Sequence, residues 1–351
     1  MALFLWLDLL LLLLAGVRCT SVKNCHAGCR CEVESFGLFD SFSLTTVDCR
    51  GLGPGAIMPV AIPLDTAFLD LSSNALGHLT DNMLAGPGYT TLVSLDLSSN
   101  NITKVSPNAL SKLRYLETLD LSHNDLEGLP PDCFFGLPLA EVDLSHNNLR
   151  DFNMSAFVAK VNSKPVSVDL SHNKLASIST TPHGKLVHIQ NLNLTGNRLS
   201  GIPNLGGLEI LRYLSLDSNP IVAIEEGDFA HLTDLVFLSL SSLRQLREIE
   251  SNSFKGLRSL QVLDLSNNPK LKTLRRSVFT GLDSLQELNL SGCGVTFLPH
   301  NTLSHLPAIK SIALGQNIRC LRTQKRGVFH RQLGQTQHYE VLNCHRDSLA
   351  L

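Results

Sequence analysis

Residues 116–137 read LETLDLSHNDLEGLPPDCFFGL. Leu119 and Leu121 alternate with Thr118 and Asp120, the period-two pattern of a short strand with one buried face. Asn124 closes the strand, and Leu126, Leu129, Phe134 and Leu137 supply the apolar side chains of a second wall behind it. The frame L-x-x-L-x-L-x-x-N-x-L recurs with its asparagine at Asn74, Asn100, Asn124, Asn147, Asn173, Asn197, Asn219, Asn268 and Asn317. Leu243 and Cys293 take that place in two further turns, giving 11 turns with steps of 22 to 26 residues. In a single arc of chain, each buried backbone group left unpaired costs about 1–3 kcal/mol. An asparagine amide both donates and accepts, so stacked asparagines can satisfy those groups from turn to turn.

This step and wording define leucine-rich repeats. The expected fold is an α/β-type leucine-rich repeat solenoid. It is a curved right-handed superhelix with a parallel β-sheet on the concave face and a mostly irregular or short helical convex side. Ten residues past the frame asparagine a large apolar side chain recurs as Leu84, Leu110, Phe134, Phe157 and Phe229. Phe254 and Phe279 continue the row one residue later and Leu303 resumes it, which predicts a packed spine. The frame is irregular at LSSLRQLREI around Leu243 and at NNPKLKTL after Asn268. Both should widen the ascending loop, either as a contact surface or as tolerated variation.

A solenoid ends in raw hydrophobic layers that need covers. Cysteines stand where the covers should be: Cys25, Cys29, Cys31 and Cys49 before the first repeat, Cys320 and Cys344 after the last. Disulfide-stapled caps at both ends fit an oxidising compartment. Zinc is the rival for the first cluster, with poor ligand spacing for it. The opening MALFLWLDLLLLLLAGVRC is an apolar run of signal-peptide length, with cleavage expected after Cys19. The expected organisation is therefore a signal peptide over 1–19, an N-terminal cysteine-rich cap over 20–60, repeats over 61–317 and a C-terminal cap over 318–351. Secretion into the extracellular space follows, without membrane insertion. Cys133 and Cys293 are expected to be free and structural, since neither has a neighbouring base at the spacing of a nucleophile.

Between the strand leucines lie residues of the concave face. The place between the two closest leucines reads Asp70, Asp96, Asp120, Asp143 and Asp169, then Asn193, Ser215, Ser239, Asp264, Asn289 and Ala313. Aspartates on neighbouring strands would stand ~4.8 Å apart, which requires something to neutralise or hydrogen-bond them. Three residues further on, His123, His146 and His172 form an adjacent column. These residues are candidates for an acidic, pH-tunable surface that takes a basic partner; the bland alternative is that LDLSHN is a common wording of the repeat, with serines satisfying the aspartates. An open curved sheet offers no enclosed site, so neither catalysis nor a cofactor or metal is expected.

Net charge is −2, but residues 1–240 carry 14 basic and 24 acidic side chains against 15 and 7 in residues 241–351. The basic half ends in IRCLRTQKRGVFHRQ, where Arg319, Arg322, Lys325, Arg326 and Arg331 are candidates for sulfated glycosaminoglycan or for a solvated cap surface. No nucleic acid partner is expected. Glycosylation sequons stand at Asn101 and Asn153, near turns, and at Asn193 and Asn289, on concave strand positions.

The leader, four-cysteine cap, LDLSHN-type repeats and two-cysteine end resemble the small leucine-rich proteoglycans of the extracellular matrix. The resemblance runs through CEVESFGLFDSFSLTTVDC, GLGPGAIMPVAIPLDTAFLDLSSN, AGPGYTTL, LRYLSLD and LQVLDLSNNPKL, nearly the whole mature chain. It implies the pairs Cys25–Cys31, Cys29–Cys49 and Cys320–Cys344. It also implies a secreted modulator of developmental signalling that acts by sequestration or competition. The implied partners are bone morphogenetic proteins together with chordin, Frizzled-type receptors of Wnt signalling, Delta-type Notch ligands and other growth-factor pathways; no enzyme activity is implied. The alternative is a structural matrix protein that binds collagen and regulates fibril assembly. The last intervals of 25 and 24 residues lack the elongated penultimate repeat of many relatives, so a monomer is expected. Ser200-Gly201 and Ser291-Gly292 lack acidic flanks for glycosaminoglycan attachment.

Overall fold

The computed structural model describes residues 24–36, 42–53, 58, 60–158, 164–179, 187–295, 298, 302–314, 318–330 and 335–346, the last two stretches by backbone only. The expected leader over 1–19 and Arg331 therefore lie outside the described residues, as does Asn317.

One sheet of 15 strands runs through the molecule. Eleven of them come from the repeats, from Thr66–Asp70 through Thr118–Asp120 and Tyr213–Ser215 to Ser311–Leu314, each parallel to the next. Equivalent frame positions face each other across every step: Leu95 pairs with Leu119 and Asp96 with Asp120. The register is in phase because one frame leucine per strand must stay inward, and a one-residue slip would turn it out. Leu95, Leu119, Leu192, Leu214, Leu238 and Leu263 are fully buried.

The asparagine ladder has the predicted form. Asn124 Nδ2 donates to Leu97 O and Leu121 O at 3.0 Å, while Ile102 N donates to its Oδ1 at 3.0 Å. Asn100, Asn147, Asn173, Asn197 and Asn219 repeat the pattern. Cys293 Sγ donates to Leu265 O at 2.8 Å, so the thiol supplies one of the ladder's bonds. Leu243 has no such group and is wholly buried, while its own N–H donates to Asn268 Oδ1 at 2.7 Å.

Outside this sheet the described residues form three two-stranded parallel sheets, 3-10 turns at Pro87–Tyr89 and Met154–Phe157 and a four-residue helix at Thr302–His305. The spine is packed: Leu84, Leu110, Phe134, Phe157, Phe229, Phe254 and Phe279 are buried, and Phe134–Phe157 and Phe229–Phe254 stack. Leu303 departs from the expectation: it is exposed, and Thr302 takes the inner place. Among the described residues its turn is the last, and the chain then enters an antiparallel hairpin.

The ends differ from the middle. Arg30–Phe36 and Phe42–Asp48 form an antiparallel hairpin that joins the first repeat strand in parallel. Cys25–Cys31 and Cys29–Cys49 are bonded, as the family pattern implies. The second closes a separation of 20 residues, worth about 3 kcal/mol in the chain-entropy model. At the other end Ile318–His330 pairs antiparallel with Gln335–Arg346 and sets Cys320 opposite Cys344. The bond between those two, and the side chains of Arg319, Arg322, Lys325 and Arg326 on that hairpin, lie outside the described residues.

Candidate functional site: the concave face

Each strand aspartate does two things. Its Oδ1 accepts the backbone N–H two residues on: Ser72 N to Asp70 at 2.9 Å, and Ser98, Ser122, Ser145 and Ser171 to Asp96, Asp120, Asp143 and Asp169 at 2.8 Å. Asp264 does the same for Ser266, and Asn193 and Asn289 serve their own turns. The serines thus satisfy the aspartates through the backbone amide rather than the hydroxyl. This is an Asx turn, and the D-x-S wording was its sequence signal.

Among these five aspartates, the second carboxylate oxygen finds a side-chain partner only at the two ends of the row. At one end Arg50 Nε pairs with Asp70 Oδ2 at 3.1 Å while its other nitrogen holds Asp48. Hydrogen bonding and the charge of Arg50 keep the Asp48 carboxyl below the usual carboxylate range. At the other end Asn193 Nδ2 donates to Asp169 Oδ2 at 2.9 Å. Between these stoppers stand Asp96, Asp120 and Asp143, half-buried, one per strand. Of the five aspartates singled out from sequence, two are capped within the chain and three form an open acidic strip.

The histidines lie where the strands end. His123, His146 and His172 have φ of 53°, 54° and 55°, the left-handed region, which histidine tolerates better than most residues. Their rings stack: His123 and His146 lie 4.2 Å apart and 8° from parallel, His146 and His172 4.5 Å and 13°. Burial first, then the neighbouring imidazoles, pushes His146 below the ordinary histidine range; Asp143 and Asp169 oppose this. Two unit charges ~4.5 Å apart repel by about 1 kcal/mol even in water. The same column is filled elsewhere by Ser73, Ser99, Gly196, Ser218, Ser242, Asn267 and Gly292, all left-handed. Gly196 ends the stack: a Cβ there would stand 2.7 Å from His172 Nδ1.

The other half of the face holds an aromatic pair that the sequence pattern did not single out. Tyr213 and Phe237 share a frame position on adjacent strands and stack at 4.7 Å and 7°; that equivalence was the available signal. Burial, then Asp217 and Asp169, raises the Tyr213 hydroxyl's pKa. Ser239 has no carboxylate for its turn, so Asp217 of the preceding repeat accepts Ser241 N at 2.7 Å and Ser239 Oγ at 2.6 Å. Along the sheet's lower edge an open groove of about 600 Å³ is lined by Pro165, Gln190, Ile210, Arg212, Val236 and Gln261, among others.

The sequons divide similarly. Asn101 and Asn153 are exposed, and Asn153 Oδ1 caps the Met154–Phe157 turn through Ser155 N. Asn193 and Asn289 end concave strands. Cys133 is buried, which raises its thiol pKa to about 12 and leaves it unreactive as a nucleophile. Among the described residues no group of His, Cys, Asp or Glu could hold a metal ion, and no helix is long and apolar enough to cross a membrane.

The leucine-rich repeat family model matches residues 90–149, 166–221, 189–243 and 243–295. Tsukushi of Gallus gallus is 56% identical over 95% of this chain and 89% of its own length. Tsukushi of Homo sapiens is 54% identical over 98% of each. The chain belongs to the Tsukushi family of leucine-rich repeat proteins. Solved structures agree on the fold. The leucine-rich repeat domain of APL1B superposes with a TM-score of 0.53 at 23% identity, over 70% of this chain and 68% of its own. A chain of the Toll–Spatzle complex gives 0.53 at 24%, over 70% and 37%. Neither the Tsukushi relatives nor the matching repeat model points to a catalytic family.

Proposed function

We propose that this Tsukushi-family chain is a secreted binding protein that modulates developmental signalling by holding growth factors or competing for their receptors. The observation that carries the reading is the open acidic strip of Asp96, Asp120 and Asp143 on a broad parallel sheet. Arg50, bridging Asp48 and Asp70 at the head of the same column, supplies an internal precedent for the chemistry the strip would bind. A partner offering arginine or lysine side chains could occupy the following rungs in the same way. The family resemblance supplies the candidates: bone morphogenetic proteins with chordin, Frizzled-type receptors and Delta-type ligands. Glycans on the exposed Asn101 and Asn153 would leave this strip open, whereas glycans on Asn193 and Asn289 would flank the aromatic half.

The test is a comparison on the purified protein. Saturable binding to a bone morphogenetic protein or a Frizzled ectodomain is expected, with no retention on fibrillar collagen. Retention on collagen without growth-factor or receptor binding would replace this reading with a matrix-assembly role.

A further inference from the structure

We infer that the His123–His146–His172 stack is a proton-operated release device for the acidic strip beside it: a basic partner held at neutral extracellular pH is let go as the pH falls towards 5.5. The inference rests on the strip being a docking surface, as proposed above.

Three observations support it. The histidines are not there for the fold, because serine, asparagine and glycine fill the same left-handed column on seven other turns. The rings are held face to face at 4.2 Å and 4.5 Å, so each proton taken up raises the cost of the next. The stack also adjoins the strip, and Asp143 and Asp169 act electrostatically on His146.

The charged groups around the stack set its sign. Asp120, Asp143 and Asp169 stand three residues before the histidines on the same turns. Asp125 and Lys174 follow two residues after His123 and His172, with Asn148 between them donating to Asp125 at 3.2 Å. Ser99 and Gly196 hold the column positions on either side of the three histidines. At neutral pH uncharged imidazoles leave the carboxylates free to meet a partner's cations. As the pH falls, positive charge on the imidazoles competes with the partner for the same carboxylates. Linkage makes the effect reciprocal: a bound basic partner holds protons off the histidines, and proton uptake expels the partner.

The experiment uses the full chain and an immobilised, N-acetylated arginine-rich synthetic peptide free of histidine, whose own charge does not change between pH 7.4 and 5.5. Wild-type affinity should fall at least tenfold on acidification. His123→Asn with His146→Asn and His172→Asn should lose less than threefold, since asparagine already occupies this column at Asn267. The corresponding triple serine variant gives the same comparison if the asparagine variant folds poorly. An equal drop in wild type and variants would overturn the device while leaving the docking surface standing. No binding to wild type at pH 7.4 would overturn both.

Discussion

The concave sheet has two halves built on one backbone. In the first, from Thr66–Asp70 to Val166–Asp169, every strand ends in aspartate and the turn column holds three stacked histidines. In the second, the position reads Asn193, Ser215, Ser239, Asp264 and Asn289, and the partly exposed feature is the Tyr213–Phe237 stack. Register, strand spacing and buried leucines are the same in both. The difference teaches that the frame fixes the inner face only. What remains local is one requirement per turn, an acceptor for the backbone N–H two residues past the strand end, which Asn193, Asp264 and Asn289 of the second half meet as the aspartates of the first do, while one turn meets it differently. The acidic half uses each strand's own carboxylate; the Ser239 turn borrows Asp217 from the repeat before.

The largest effect should come from the ladder beneath both halves. Asn124→Ala leaves Ile102 N without its acceptor and takes one donor each from Leu97 O and Leu121 O, which keep Asn100 and Asn147, at a cost of about 2–3 kcal/mol. Cys293→Ala in the second half gives up one thiol bond and should cost about 1 kcal/mol or less. Chemical denaturation of both variants checks the ranking, and equal losses would contradict the ladder's unequal construction.

Binding should divide along the same line. Asp96→Asn with Asp120→Asn and Asp143→Asn is expected to weaken growth-factor binding about tenfold, or about 1.4 kcal/mol. Tyr213→Ala with Phe237→Ala should change it less than about twofold. Titration calorimetry with each variant decides which half docks the partner; the reverse ranking would move the site to the aromatic half.

The aspartates' double role predicts a split between substitutions. Asn keeps the Oδ1 acceptor, as Asn193 and Asn289 already do. Asp120→Asn plus Asp143→Asn should therefore leave the melting temperature nearly unchanged, whereas the alanine pair should cost about 1 kcal/mol per site. A smaller effect concerns pH. Because His146 is pushed below its ordinary range, the folded state takes up this proton less readily than the unfolded chain. Its contribution is complete above the ordinary histidine range and is lost progressively as pH falls from there through the lower folded-state value. Wild type should thus lose more melting temperature than His146→Asn between pH 7.4 and 5.5. Last, neutralising Arg322, Lys325 and Arg326 should lower the salt needed to elute the protein from heparin, and unchanged elution would remove the polyanion surface.

Much of this could be read from residue types and spacing. The asparagine frame announces a repeated backbone need, and cysteines before Leu69 announce a stapled cover. The acidic and histidine columns were also legible, because frame positions stack by construction. Leu303 shows where such extrapolation stops: a periodic row predicts burial within the stack, and this is its last described turn. Arg50 on Asp70, Asn193 on Asp169 and Asp217 under Ser241 were invisible for a related reason. Each joins residues 20 to 24 apart through side-chain reach, which no periodicity encodes.

By itself, then, the chain's text determined a leucine-rich solenoid with cysteine-rich ends and a polar inner wall, since a period in sequence becomes a stack in space. Only the tertiary structure decided that three of five aspartates remain open and that three imidazoles lie ring on ring. Those outcomes depend on which side chain reaches its neighbour at 3 to 5 Å, and distances of that kind are set by the packed turns rather than by the order of residues.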